Sequence, residues 1–572
     1  MEASSIKEKR RGGILVPLSS LLSRYSFESG DIHSLYPLAE FAKEVGFSII
    51  QLLPLNDTGF GTSPYSAISA FAIDPLYISL HDLGIELYTR KKEFSKKINH
   101  ARIRDAKLAA LRKRYDENLT SNQNLAHQFL EKNSWCYGYS SFRQILTETN
   151  GSPWWSWKEE FQNPSHAKEI CFSKKKDDTL FWVYLQKIAF DQLSAVKEHF
   201  EILGIFLKGD MPILTSKNSS DVWEYRDYFQ MDLHAGAPPD QFSPTGQNWG
   251  FPVLNWDVLK QTNYQWWKDR LNYLEHFFHL YRIDHVIGMY RIWAVPSNEE
   301  TAVHGWFHPQ EGTPKEKFVD MGLDPSEFVT KHLIYEFKKD SFIFTWDFWK
   351  KPGYLELSEE TKAKLYPLSE LNLALDEKIW KEAGEEILDL FSSQSSMVPC
   401  AEDLGSVPHF IRESLREREM LGIDVVRWTK SFETGEFIPP EGYREFAVST
   451  LSTHDTSLVM DWWKKEGNLA ENIEHFFLKR GKSKPEEDSE ILEGLLDYVF
   501  QTKSILSIVL LQDLCLGEPE ILSKPERHRI NVPGTSESLN WNYRFPYIIE
   551  DFANNAWRVK TLRNLLIGAD RL

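Results

Sequence analysis

Three short segments of this 572-residue chain place carboxylates where apolar runs end: Arg282 and Asp284 in YRIDHVIG, Glu402 in VPCAEDLG, and His454 with Asp455 in LSTHDTS. Arg282 and Asp284 stand two residues apart, so on an extended backbone they share a face. A guanidinium beside a carboxylate holds it ionised and fixes its direction. Such a carboxylate suits attack on an anomeric carbon, and breaking a glycosidic bond needs a second carboxyl group as proton donor. Glu402 is the candidate donor, because partial desolvation would raise its pKa and keep it protonated. Asp403 competes for that role; in a strand the two neighbours point oppositely, and the sequence does not choose between them. His454 and Asp455 could bind adjacent sugar hydroxyls, with hydrogen bonds that strengthen as the sugar distorts. Taken singly, each segment also reads as a rim ion pair, a solvent-facing acidic pair or a self-satisfied His–Asp pair. Their recurrence at successive strand ends favours chemistry.

Such residues meet only if the elements behind them bring their ends together. GGILVPLSSL begins as an apolar strand. Residues Leu35–Gly46 follow with apolar positions every three or four residues and a closing glycine, the pattern of a helix. FSIIQLLPL then reads as a buried strand. The same aliphatic signature returns in EILGIFLKGDMPI, which ends in a polar loop expected over Asp210–Phe229. It returns again in LYRIDHVIG, MVPCAEDLG, GIDVVRWTK, FAVSTLSTHDT and SILSIVLLQDLCLG. Strand–helix–strand succession is the grammar of a parallel α/β sheet, and in a barrel the C-terminal strand ends form one active face. Residues 85–200 are charged and helical in pattern, an expected insertion. Residues 300–395 are charged and irregular, an expected second insertion. The whole of 1–572 is otherwise read as one catalytic domain.

Composition narrows the partners. The formal net charge is −17, which disfavours nucleic acid phosphates and anionic lipid heads. Trp, Tyr and Phe make up 14% of the chain, enough flat rings to line a groove against apolar sugar faces. Cys136, Cys171, Cys400 and Cys515 are widely spaced, so reduced, buried thiols are expected rather than a disulfide framework or zinc site. The basic N-terminal stretch precedes an apolar run too short and broken for a signal peptide. The run SILSIVLLQDLCLG is interrupted by Asp513, so it reads as buried rather than membrane-spanning. A cytoplasmic protein is expected, with no membrane or nucleic acid partner. No phosphate-binding loop or dinucleotide fingerprint is present, and the carboxylate chemistry calls for neither metal nor cofactor. Nothing in the sequence sets an oligomeric state.

Several ordered motifs carry a family resemblance: GTSPYSAISAFAIDPLYI at 61–78, GAPPDQFSPTGQNWGFPVLNW at 236–256, YRIDHVIGMYRIW at 281–293, AEDLG at 401–405, STHDT at 452–456 and NVPGTSESLNWNYRFP at 531–546. Together they resemble the amylomaltases, or disproportionating enzymes, of glycoside hydrolase family 77. The resemblance implies a (β/α)8 TIM barrel with mainly helical insertions. It implies a 4-α-glucanotransferase acting on an α-1,4-glucan donor and acceptor by double displacement with retention. Matched residue by residue, Asp284 is the nucleophile, Glu402 the acid/base, and Asp455 the carboxylate that holds sugar hydroxyls. Arg282 and His454 are their companions. Tyr65 matches the aromatic platform under the sugar at the cleavage point, and Trp249 the aromatic on the acceptor side. Without the resemblance, Tyr65 reads equally as a loop anchor and Trp249 as a plug for the glycine-rich segment. Asp240 and Gln247 are candidate polar contacts from the same segment, and Gly236, Gly246 and Gly250 suggest a mobile or closely approached loop.

The motifs depart from the commonest bacterial forms at RIDHVIGMYRIW, GIDVVRWTK and HDTS. The first resembles plant cytosolic disproportionating enzymes. The three carboxylates are unaffected. Two other functions fit the same residues: a retaining α-glucosidase-type hydrolase, and a non-catalytic glucan-binding protein.

Overall fold

The computed structural model describes residues 3–87, 97–240, 243–466, 487–535 and 539–572. Gln241, Phe242 and positions 536–538 of the C-terminal motif lie outside the described residues, as does part of the segment after residue 85.

Eight short strands form one parallel sheet: β1 Arg11–Val16, β2 Ile49–Leu52, β3 Phe206–Met211, β4 Leu280–Ile283, β5 Val398–Ala401, β6 Gly422–Val425, β7 Ala447–Thr450 and β8 Leu506–Leu510. Their spatial order is β5-β4-β3-β2-β1-β8-β7-β6. A parallel bridge between Cys400 and Leu421, with Ala401 N–H donating to Leu421 O at 2.7 Å, joins β5 to β6 and closes the ring. Chain order therefore equals order around the ring, as in a (β/α)8 barrel. β1, β2, β3, β4, β7 and β8 are buried along their whole length. That explains why their apolar residues fall on both faces and do not alternate with polar ones.

The first helix, α1, spans Leu35–Val45 and stops at Gly46, whose φ is 103°. The end of the helix needs glycine for that left-handed backbone conformation. Between β2 and β3 the chain forms the helices His100–Glu117, Leu119–Lys132, Trp135–Glu148, Pro164–Lys174 and Lys176–Leu203. The last of these packs on both α1 and β3, so it serves the barrel as well as the insertion.

Two regions differ from the sequence reading. The segment expected as a polar loop over Asp210–Phe229 begins inside β3 and holds the short helix Ser220–Glu224, and the chain after it, glycine-rich motif included, contains strands Phe229–Ala237 and Gln247–Leu254. These pair antiparallel with each other and join Ile292–Pro296 and Trp306–His308 in a four-stranded sheet. Gly236 is needed for that pairing: a Cβ on it would lie 2.1 Å from Gln247 O. Its glycine marks a close approach between strands. The segment expected to be irregular over 300–395 holds a three-stranded sheet, Thr313–Pro314, Ser341–Phe344 and Ile334–Lys338. It also holds the 35-residue helix Glu359–Ser393. Phe318, Phe328, Phe342 and Phe348 give this region an apolar core of its own. Its charged residues obscured the pattern because both elements are largely solvated on one face.

All four cysteines are free and buried. Among the described residues, no helix is long and apolar enough to cross a membrane.

Candidate active site

The barrel register builds the site from its floor upward. Asp210 on β3 is the register partner of Arg282 on β4, and Arg282 that of Cys400 on β5. Beyond the strands the ladder runs on: Asp284 N–H donates to Met211 O at 3.2 Å, and Glu402 N–H to Ile283 O at 2.9 Å. The first residues past β4 and β5, Asp284 and Glu402, are thereby brought to the same rim.

Arg282 is their common partner. Its Nη1 donates to Asp210 Oδ1 at 2.8 Å and Oδ2 at 3.0 Å, and lies 2.8 Å from Asp284 Oδ1. Its Nη2 lies 3.6 Å from Glu402 Oε2. The guanidinium therefore favours the anion on Asp284 more than on Glu402. Burial pushes the Glu402 carboxyl up to about 7, with the charge of Asp284 adding to the rise and Arg282 opposing it. Burial also raises Asp284, and there the close guanidinium is the main counterweight. One carboxyl group able to keep a proton near neutral pH, next to one held against a cation, is the division of labour that acid-assisted displacement requires.

Strand alternation separates Glu402 from Asp403. Asp403 points away from the rim, accepting from Ile423 N–H at 2.8 Å and from Arg444 Nη1 at 2.5 Å. It pins β5 to β6, whereas Glu402 faces the cluster and accepts at Oε2 from the backbone N–H of His285 at 2.8 Å. His285 adopts a φ of 48° to present that donor, a conformation uncommon outside glycine and asparagine.

Beyond β7, His454 Nε2 lies 3.3 Å from Asp455 Oδ2, and Asn531 Nδ2 donates to Asp455 Oδ1 at 2.6 Å. Burial would raise Asp455, but His454 and Asn531 outweigh it and hold the carboxyl well below its ordinary range. The same contact raises His454 against its own burial. Tyr65 connects the two rims. Its hydroxyl donates to Asp210 Oδ2 at 2.9 Å, and its ring stacks on His454 at 5.2 Å and 15°.

Trp249 lies on the antiparallel arm. Its indole N–H donates to Gln247 Oε1 at 3.1 Å, and its ring meets His285 edge-on at 5.1 Å and 90°. Trp249 and Gln247 thus reach the Glu402 side of the rim through His285. Asp240 is exposed at the end of the same arm, its Oδ1 accepting from Ser243 N–H at 2.7 Å; the structure gives it a turn-forming contact.

Sequence reasoning passed over Asp210, Asn531, Trp541 and Lys208. Asp210 carries the aliphatic-run-ending-in-Asp signal in IFLKGDM, and stands in β3 where the sequence predicts the start of a loop. Asn531 begins the motif NVPGTSESLNWNYRFP. Trp541, in the same motif, tilts against Tyr65 at 5.5 Å. Lys208, two residues before Asp210, faces the barrel interior, fully buried, and donates to Gln51 Oε1 at 3.0 Å. A lone lysine in an apolar run gives no signal of that position.

A parallel barrel that gathers carboxylates around one guanidinium at its strand ends has the groups that acid-assisted cleavage of a glycosidic bond requires. Comparison with known proteins gives the family. A family profile described as 4-alpha-glucanotransferase, glycoside hydrolase family 77, matches residues 16–550. A 4-alpha-glucanotransferase of Chlamydia pneumoniae is 31% identical over 557 residues, covering 95% of this chain and 92% of its own. The 4-alpha-glucanotransferase DPE2 of Oryza sativa subsp. japonica is 26% identical, covering 98% of this chain and 70% of its own. An amylomaltase from Streptococcus agalactiae, solved in complex with acarbose, shares the fold with a TM-score of 0.73 at 22% identity, covering 98% of this chain and all of its own. The chain belongs to glycoside hydrolase family 77, the 4-α-glucanotransferases.

Proposed function

We propose that this enzyme moves α-1,4-glucan segments between maltooligosaccharides or glycogen-like glucans by a retaining double displacement. Asp284 is its nucleophile and Glu402 its acid/base. The observation that carries this reading is the asymmetric sharing of Arg282, 2.8 Å from Asp284 and 3.6 Å from Glu402. Glu402 gives its proton to the glycosidic oxygen as the Asp284 carboxylate bonds to the anomeric carbon and the leaving chain departs. The 4-hydroxyl of an acceptor glucan then attacks the same carbon. Glu402 takes its proton, and the ester bond to Asp284 breaks. Two inversions give net retention.

Asp455 and His454 hold hydroxyls of the sugar at the cleavage point, with Tyr65 as its platform and Arg282 orienting Asp284. Trp249 offers a ring on the acceptor side, with Gln247 and Asp240 as polar contacts from the same arm. The surroundings of Asp455 support its role: a carboxylate kept ionised beside a histidine is a strong acceptor for sugar O–H groups. We place the activity in the cytoplasm, in line with the acidic, neutral-substrate character of the chain.

Incubation with pure maltotriose, followed by separation of products by chain length and a parallel glucose assay, tests this reading. Longer maltooligosaccharides appearing together with glucose are expected. Glucose and maltose without longer chains would mean hydrolysis. Binding without turnover, on maltotriose and on maltose plus glycogen, would mean a silent glucan-binding protein.

A further inference from the structure

The segments that leave the C-terminal ends of β1 and β2 meet at a group of side chains remote in role from the carboxylate rim. His33 stands in the single turn Ile32–Ser34, and His81 and Asp82 in the single turn His81–Leu83. One ligand atom from each of His33, His81 and Asp82 lies within 4.8 Å of the others, and among the described residues this trio alone meets that geometry. His33 Nδ1 and Asp82 Oδ1 are 2.6 Å apart.

We propose that His33, His81 and Asp82 form a binding site for a divalent transition cation of the zinc type, which clasps the β1 and β2 segments together.

Ligand chemistry selects the ion. Two imidazoles and one carboxylate suit zinc, with a fourth position open to water, whereas calcium and magnesium favour oxygen-rich sets. Tetrahedral zinc with ligands at about 2.0–2.1 Å sets them roughly 3.3 Å apart. His33 Nδ1 and Asp82 Oδ1 are 2.6 Å apart and every ligand pair lies within 4.8 Å, so His33 and Asp82 must part slightly to admit the ion. His81 and Asp82 are exposed and His33 half-buried, which leaves a path for the ion.

The backbone behind the trio is already cross-linked. Lys107, fully buried, lies 3.3 Å from Asp31 Oδ2 in the β1 segment. It also donates to Leu76 O at 2.7 Å and Ile78 O at 2.9 Å in the β2 segment. The two turns are thus held at fixed separation before any ion arrives. Ring packing fixes the imidazole planes as well. Tyr25 stacks on His81 at 4.2 Å and 25° and meets His33 edge-on at 5.2 Å. Ligands oriented by neighbours in this way bind metal more tightly than freely rotating ones. A metal binds only the deprotonated imidazoles and carboxylate, so affinity falls as pH falls.

Titration of the untagged full chain with Zn2+ by calorimetry at pH 7.5, with Ca2+ as control, tests the site. One zinc equivalent with a dissociation constant on the order of micromolar is expected, weakened roughly 30-fold or more in both His33→Gln and His81→Gln. Circular dichroism checks that each variant is folded. Zinc should raise the unfolding temperature of the wild type by about 1–3 °C and leave that of His81→Gln unchanged. Equal zinc binding by wild type and both variants would overturn the proposal, because the ion would then sit elsewhere. No binding at millimolar zinc, or calcium binding as tightly as zinc, would overturn it too.

Discussion

The β4–β5 rim and the β7 rim use the same kind of group and treat it oppositely. On the first, a single guanidinium serves three carboxylates, Asp210, Asp284 and Glu402. The outermost of them, Glu402, accepts one backbone N–H, and burial raises it to about 7. On the second, a single carboxylate receives both His454 and Asn531 and stays ionised. Burial raises both carboxyls, so the difference between them comes from their partners. The ratio of donors to carboxylates, with burial, decides which group holds a proton. The acid and hydroxyl-binding roles proposed for Glu402 and Asp455 rest on these surroundings, since the side chains are nearly the same.

The comparison breaks most severely at Asp284. Asp284→Asn should lower turnover by at least ~10⁴-fold, because no carboxylate remains to take the sugar while the folded barrel persists. Product ladders from maltotriose measure this; activity within tenfold of wild type would remove Asp284 from the mechanism.

Glu402→Gln comes next, with a loss of roughly 10³-fold in glucan transfer. Loss should be far smaller on a donor with a good leaving group, such as α-glucosyl fluoride, since forming the ester then needs no proton donor. The sign with pH is definite. Glu402 must be protonated to act first as acid, so the specificity constant for donor falls as pH rises through about 7. In Glu402→Gln that alkaline limb should vanish. A limb unchanged in the variant would show that another group carries it.

On the β7 rim, Asn531→Ala removes one of the two donors that distinguish Asp455 from Glu402. A hydrogen bond to a charged group contributes about 1.5–3 kcal/mol, so a decrease of roughly 10- to 100-fold in the specificity constant is expected. The effect should appear on the acid side of the pH profile, because Asp455 loses a contact that keeps its pKa low. An unchanged acid limb would mean that His454 alone sets the carboxylate.

How much of this was legible in sequence depended on whether a residue's surroundings were local. Each barrel strand was marked by a run rich in aliphatic residues, because the strands are buried along most of their length, while their closure into a barrel rested on the family resemblance. Asp284, Glu402 and Asp455 followed because each stands just past such a run. The choice between Glu402 and Asp403 needed the observed alternation, with Asp403 committed to Arg444 across the β5–β6 seam. The antiparallel arm was hidden by its own requirements. Gly236 permits a close strand approach, and Gly246 and Gly250 have positive φ, so a strand pair carried the composition of a loop. Asp210, Asn531 and Lys107 take their meaning from partners tens to hundreds of positions away, which no window along the chain contains.

Lys208 is the sharpest case, and it offers the smallest and most diagnostic test of the comparison. It lies one strand repeat below Asp210, on the same face of β3. Burial lowers its pKa, while Cys400 on β5 and Asp210 oppose that shift and Arg282 on β4 adds to it. If the amine is charged, it supplies a second cation beneath the β4–β5 rim, and Arg282 is less overcommitted than its three carboxylates imply. Lys208→Met keeps the length and removes the charge. The remaining carboxylates should then titrate higher, so both limbs of the pH profile move upward by a few tenths to about one unit. Turnover at pH 7 should change only about threefold. A change in stability is expected either way, because the variant leaves Gln51 Oε1 without its donor while relieving the cost of a buried charge; stability therefore does not discriminate. The profile does. A shift of both limbs means that the floor of the barrel helps set the protonation of its rim. Superimposable profiles mean that the lysine is neutral in place, and that Arg282 alone balances the three carboxylates above it.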